Sequence, residues 1–332
     1  MTKRERVVQA LKHQESDITP YQIDFTAPVR EKLVEYYHTE KIDTVIGNHF
    51  LKLKTGFAWK EIKPGFWQDS FGVVWDRSID KDIGNPAQYP LDDKNRLDQY
   101  RFPEVKPELF NHIPALIENN QDYFSFISIG FSLFERAWTL RGMENLMMDM
   151  ATDSGFTETL LARIVEFNLK IIDQAVRLPI QMVKFGDDWG QQQGLLMGPK
   201  HWRRYIKPGL SRMCQKVKEK GLFVSIHSCG DIEEIIPDLI EIGVDLYNPF
   251  QPEVTDIVRI KKEYGNKLSF WGGLSTQKVL PFGTTEEVKK EVRRLIKEIG
   301  AGGGYVLAPA HDTPKDVPLA NVLAMIETLQ NQ

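Results

Sequence analysis

The chain has 332 residues, 42% hydrophobic and 27% charged, a balance that allows a full buried core and argues against disorder. Lysine and arginine total 42 against 46 aspartate and glutamate, and neither sign gathers into a long run, so a nucleic-acid footprint and a polybasic membrane patch are both unsupported. Two cysteines, Cys214 and Cys229, are too few for a disulfide framework and fit a reducing compartment.

In chain order, residues 1–17 form a charged amphipathic helix pattern without the apolar centre of a signal peptide, and no segment has the length of a membrane span. A cytoplasmic protein with no membrane partner is expected. Tyr21–Phe25 reads as a barrel strand. Residues 50 to 105, rich in Trp and Pro, read as an insertion covering one mouth of the barrel, with Phe71–Trp75 in a hairpin. Phe124–Ile129 is a further barrel strand.

From there short β-rich runs alternate with amphipathic helices, the pattern of parallel βαβ units. Strands are expected at Met182–Phe185, Leu222–Ile226, Val244–Asn248, Leu268–Trp271 and Tyr305–Ala308. Asp231 with Glu234, and Thr284 with Glu287, have capping-box spacing, and Gly243 and Gly300 are placed to end the two helices. Without repeats, low-complexity segments or a linker, residues 1–332 read as a single α/β domain, a (β/α)8 TIM barrel with an elaborated N-terminal region. A doubly wound open sheet is the alternative.

Ile226-His227-Ser228-Cys229-Gly230-Asp231 lies where an apolar strand stops and a helix starts, the end of a barrel at which catalytic groups sit. Two positions apart on extended backbone, His227 and Cys229 point the same way, and imidazole with thiolate suits Zn2+. Gly302 to Gly304 feeds a second strand, which ends in Pro309, Ala310 and His311. Strand ends of one polarity converge in a barrel, so His227, Cys229 and His311 are expected to form a metal site of three protein ligands with an open fourth position.

Asp187 and Asp188 follow another strand and are candidates to orient substrate or act as acid or base, against a helix-capping role. Gln251 and Glu253 are candidate fourth ligands or supports, or else turn residues. Arg136 and Arg141 could hold an anion, but surface solvation is the preferred reading of both. Cys214, inside a helix pattern, reads as a packing residue. Phe25, Trp138, Phe185, Trp189, Phe250 and Trp271, near proposed strand ends, are candidate substrate-binding aromatics, with core packing as the competing explanation.

The chain resembles the uroporphyrinogen decarboxylase superfamily, and within it the cobalamin (corrinoid)-dependent methyltransferase branch. The likeness runs through Arg4 to Val7, Pro20, Phe71-Gly72-Val73-Val74-Trp75, Gly186 to Gly190, His227 to Asp231, Trp271-Gly272-Gly273 and Ala308 to His311. Zinc members of that branch carry a His-x-Cys pair and a later Cys; His227 and Cys229 match the pair, and His311 stands at the later position. The decarboxylases' amino-terminal arginine-rich substrate motif has no counterpart after Pro20, where a porphyrinogen's carboxylates would need fixed cations.

The resemblance implies a zinc-dependent methyltransferase moving a methyl group between a small methylated substrate and the corrinoid of a separate protein, with an aryl methyl ether as the best fit to the aromatic residues. The partner must supply the cofactor, because no His here has Asp two positions before it, as an Asp-x-His-x-x-Gly corrinoid motif requires. Alternatives are transfer from methylcobalamin to a thiol, transfer to tetrahydrofolate, a lyase decarboxylating a smaller acid with His311 as proton donor, and a non-catalytic partner of a corrinoid protein. A homodimer is compatible with all of these.

Overall fold

The computed structural model describes residues 1–79 and 84–332. Its centre is a seven-stranded sheet: β1 (Phe50–Leu53), β2 (Phe124–Ile129), β3 (Met182–Gly186), β4 (Phe223–His227), β5 (Leu246–Phe250), β6 (Ser269–Leu274) and β7 (Tyr305–Pro309). Each strand pairs with the next in parallel register, as chain segments returning through helical crossovers must.

Alternate side chains go to opposite faces. Phe50, Phe126, Met182, Leu246, Trp271 and Val306 meet on the concave face, where Val7 and Leu11 of helix α1 (Lys3–Leu11) join them. Ile127, Val183, Phe185, Ile226, Phe270 and Leu307 enter the larger core under the helices. The sheet is strongly curled, because Phe50 of β1 and Trp271 of β6 have ring centroids 4.6 Å apart although four strands intervene between theirs.

The sequence expectation for Tyr21–Phe25 needs correction. This segment is no continuous strand among the described residues; it makes single parallel bridges, Tyr21 with Leu307 and Phe25 with Thr313. The cause is a side chain further along the chain: the amide of Asn48 takes both backbone groups of Ile23, accepting its N–H at 2.8 Å and donating to its carbonyl at 2.9 Å. The segment still links β7 to the start of β1, for the Gln22 N–H donates to the Leu307 carbonyl and the His49 N–H to the Tyr21 carbonyl.

Phe50–Leu53, placed inside the expected insertion, is instead a strand of the main sheet. The residues after it build a separate antiparallel sheet from Trp59–Lys63, Phe66–Asp69, Val74–Asp76 and Asn85–Gln88. The hairpin expected around Phe71–Trp75 is there, with strands either side of residues 70–73.

Thr284 and Glu287 form the expected capping box on α4 (Thr285–Glu298), the fourth helix named here after α2 (Phe134–Arg141) and α3 (Ser154–Ala175). The other box does not form. Asp231 accepts the Glu233 N–H at 3.0 Å ahead of a 3-10 turn, and the helix proper starts at Ile236 with Pro237 in its first turn. Among the described residues no helix is long and apolar enough to cross a membrane.

Candidate metal centre

β4 ends at His227, and the turn after it carries Cys229 into the mouth of the curled sheet. The turn is held by backbone. Gly230 has φ +82°, and a Cβ there would lie 2.3 Å from the Gly190 carbonyl carbon, so only glycine lets the two segments approach. Across this contact the Gly190 N–H donates to the Cys229 carbonyl and the Asp231 N–H to that of Gln191.

His311 follows β7, where the Ala310 N–H donates to the Leu274 carbonyl. The ligand atoms of His227, Cys229 and His311 lie within 4.8 Å of one another, and Cys229 Sγ is 3.6 Å from His227 Nε2. Three ligand atoms at such separations, two imidazoles and a thiol, surround a volume that a zinc ion at about 2.0–2.3 Å from each would fill.

The orientation of His227 is built in. Asn248 Nδ2 donates to the Trp271 carbonyl at 3.1 Å, which turns Asn248 Oδ1 toward His227 Nδ1 at 2.6 Å. Nδ1 therefore carries the proton, leaving the Nε2 lone pair to face the cluster. Burial, with Lys184 second, lowers the His227 pKa to about 3, which keeps the ring neutral and ligand-competent. Lys184 Nζ also donates to Asn248 Oδ1, at 2.9 Å, and burial lowers its own pKa to about 7. Beside it Lys52 pairs with Asp24. Burial, then Asp188, drives the Cys229 thiol far above its ordinary value, so a thiolate here requires a cation at the sulfur.

The two aspartates separate in role. Asp187 is fully buried, and its carboxylate accepts the N–H groups of Leu133, Phe134 and Glu135 and the indole N–H of Trp189 at 2.6–3.2 Å. It caps α2. Asp188 Oδ1 accepts the Cys229 N–H at 2.9 Å and lies 3.8 Å from His227 Nε2. Burial raises the carboxyls of Asp187 and Glu135, and the proton rests on Glu135, because Asp187 receives four donors whereas Glu135 faces two carboxylates.

Gln251 Oε1 accepts the Gly230 N–H at 2.7 Å, bracing the turn. Glu253 accepts from Ser275 Oγ and belongs to no described ligand cluster. Of the aromatic candidates, Trp271 lines the small cavity shared with His227 and His311, and Phe25 lines a neighbouring groove. Phe185, Trp189 and Phe250 are wholly buried in the outer core, Phe250 stacked on Phe270 at 4.3 Å and Trp189 edge-on to Trp202. Trp138 is half-buried against that core.

Surface solvation, weighed for two arginines, is corrected. Arg141 is buried and pairs with Asp149 at 2.7 Å, and Arg136 is buried and pairs with Asp69 at 3.3 Å. Cys214 is a buried packing residue, its thiol pushed up to about 12 by burial.

Sequence reasoning missed Asn248, Lys184 and Glu135. Lys184 had a signal, a lone cation within an apolar strand. Asn248, read as the last residue of a strand, had none.

A family model described as uroporphyrinogen decarboxylase (URO-D) matches residues 82–332. The chain is similar to a methylated-thiol--coenzyme M methyltransferase of Methanosarcina mazei, 19% identical over 252 residues, which covers 76% of this chain and 65% of that protein. It is also similar to a uroporphyrinogen decarboxylase of Coxiella burnetii, 23% identical over 181 residues, covering 52% of this chain and 46% of that protein. The match thus spans about half to two thirds of these relatives. Among solved structures a methyltransferase from Methanosarcina mazei superposes with a TM-score of 0.71 at 18% identity, covering 100% of this chain and 99% of that one, a likeness of fold.

Proposed function

The chain belongs to the uroporphyrinogen decarboxylase family, and from that premise we propose that it is a zinc-dependent methyltransferase carrying a methyl group between a small methylated substrate and the corrinoid of a separate partner protein. The carrying observation is the approach of His227, Cys229 and His311 ligand atoms to within 4.8 Å of one another. The similarity to a methyltransferase supports it. In this reading the segment Tyr21–Phe25 is the eighth stave of a (β/α)8 barrel and the antiparallel sheet after β1 covers its mouth.

A zinc ion held there supplies Lewis acidity to the heteroatom that loses or gains the methyl group. Asn248 keeps Nε2 of His227 turned to the ligand position. Asp188 anchors the Cys229 backbone. Glu135, protonated beside Asp188, holds a proton near the heteroatom. Trp271 forms the floor under the two histidines. Gln251 and Glu253 act as supports, and His311, the most exposed of the three ligands, leaves the open side to substrate.

An aryl methyl ether is the preferred substrate, with a thiol or tetrahydrofolate as acceptor in the reverse sense. The decarboxylase relatives favour a lyase as the second reading. Metal content measured alongside methyl transfer to free cob(I)alamin from ethers, amines and thiols separates the two: a lyase turns over an acid with no metal and moves no methyl group.

A further inference from the structure

Beside the carboxyl ends of β1 and β2 lies a cavity of about 480 Å³, within the range that holds small ligands. Phe57, Phe71, Phe131 and Phe167 line it, with Phe71 and Phe167 edge-to-face at 5.1 Å. Such walls take a flat ring by stacking and edge contacts.

Three charged residues line it, Lys54, Asp69 and Arg136, and Arg136 is 7% exposed. The guanidinium lies 3.6 Å over the Phe71 ring and is fixed by Asp69, its one hydrogen-bonding partner among the described residues. Asp69 in turn is held by the N–H groups of Phe71 and Val73 and the indole of Trp75. A guanidinium has five N–H donors, so one long contact leaves most of them for a guest. Lys54 adds a second positive charge at the rim.

Between this cavity and His227 the neighbouring strand ends carry two glycines. Gly186 is the register partner of His227 on the neighbouring strand, and Gly130, one strand further, lines the cavity. A Cβ on Gly130 would meet nothing within 4 Å, and one on Gly186 would meet only backbone, the Gly130 Cα at 3.5 Å and the Ile129 carbonyl oxygen at 3.9 Å. Two strand spacings place the cavity edge about 10 Å from the His227 backbone.

We propose that this cavity is the substrate subsite, and that it takes an aromatic ring carrying an oxyanion, the class of the methoxybenzoates. The ring lies among the phenylalanines, the carboxylate meets Arg136, and the methoxy group reaches over Gly130 and Gly186 toward the metal ligands. The assignment rests on the methyl-transfer reading for which end faces the metal, but binding itself needs no metal.

The test is titration calorimetry of the full chain with 4-methoxybenzoate, methoxybenzene and trimethylamine, on the wild type, Arg136→Gln, Gly130→Leu and the metal-ligand variant Cys229→Ala. The expected result is binding of 4-methoxybenzoate roughly tenfold or more above methoxybenzene, the worth of one charge-assisted hydrogen bond. Arg136→Gln should lose the preference for the charged ether; Gly130→Leu, which has open space for its side chain, should keep its melting temperature and lose that binding, whereas Cys229→Ala should retain it. Equal affinity for the charged and uncharged ethers, or unchanged binding in Gly130→Leu, overturns the subsite. Demethylation of trimethylamine without 4-methoxybenzoate binding also overturns it and leaves the methyl-transfer reading standing. Binding of 4-methoxybenzoate without any methyl transfer supports the subsite and counts against that reading instead.

Discussion

Asn248 holds His227 by a 2.6 Å hydrogen bond from Nδ1, and the other end of the same amide is fixed on the Trp271 carbonyl. One side chain thus sets the tautomer, the ring orientation and the direction of the free lone pair. Asn248→Leu should keep the fold and weaken zinc binding about 10- to 100-fold, the usual cost of losing such a support. Chelator competition reads this directly; unchanged affinity would mean that the ring needs no external orientation.

Asp187 is a structural carboxylate on this account. Asp187→Ala strands three backbone N–H groups and an indole N–H in the core, each costing about 1–3 kcal/mol, so the variant should be destabilised by several kcal/mol or fail to fold. Urea denaturation checks it. A variant with normal stability and lost turnover would move Asp187 into the chemistry.

Glu135 supplies a pH signature. Its carboxyl is raised above the ordinary value of 4.5, first by burial and then by Asp187 and Asp188, so the fold favours the protonated form. Its contribution is fully present below the unfolded value and is lost as pH rises through the higher folded one. In metal-free protein Glu135→Gln, which stays neutral, should flatten the decline of stability with rising pH. Parallel pH profiles for the two proteins would show that Glu135 is ionised in the fold.

Gly230→Ala tests the backbone clamp under Cys229. A methyl group there meets the Gly190 carbonyl carbon at 2.3 Å from a φ of +82°, so the turn must open. Zinc retention should fall even though no ligand is altered. Full zinc occupancy with unchanged melting would contradict the clamp.

Much of this was legible in the sequence. Alternation of apolar strands with amphipathic helices located β2 to β7 to within a few residues, and the ends of two of those strands carry His227, Cys229 and His311. What escaped detection depends on contacts distant in sequence. β1 is four residues long and sits among aromatic residues that read as insertion, and Tyr21–Phe25 loses strand pairing because a side chain at residue 48 claims its backbone. Aromatics near strand ends could not be sorted by face: Phe185 points into the outer core, whereas the cavity is walled by Phe57, Phe71, Phe131 and Phe167. Arg136 and Arg141 look like surface charges until Asp69 and Asp149 are seen beside them.

The most direct measurement is the zinc content of purified wild-type protein compared with Cys229→Ala and His311→Ala after dialysis. One zinc per chain in the wild type and loss from both variants is the predicted result. A wild type that takes up no zinc, or variants that keep it in full, would show that these three side chains meet for some purpose other than holding the ion.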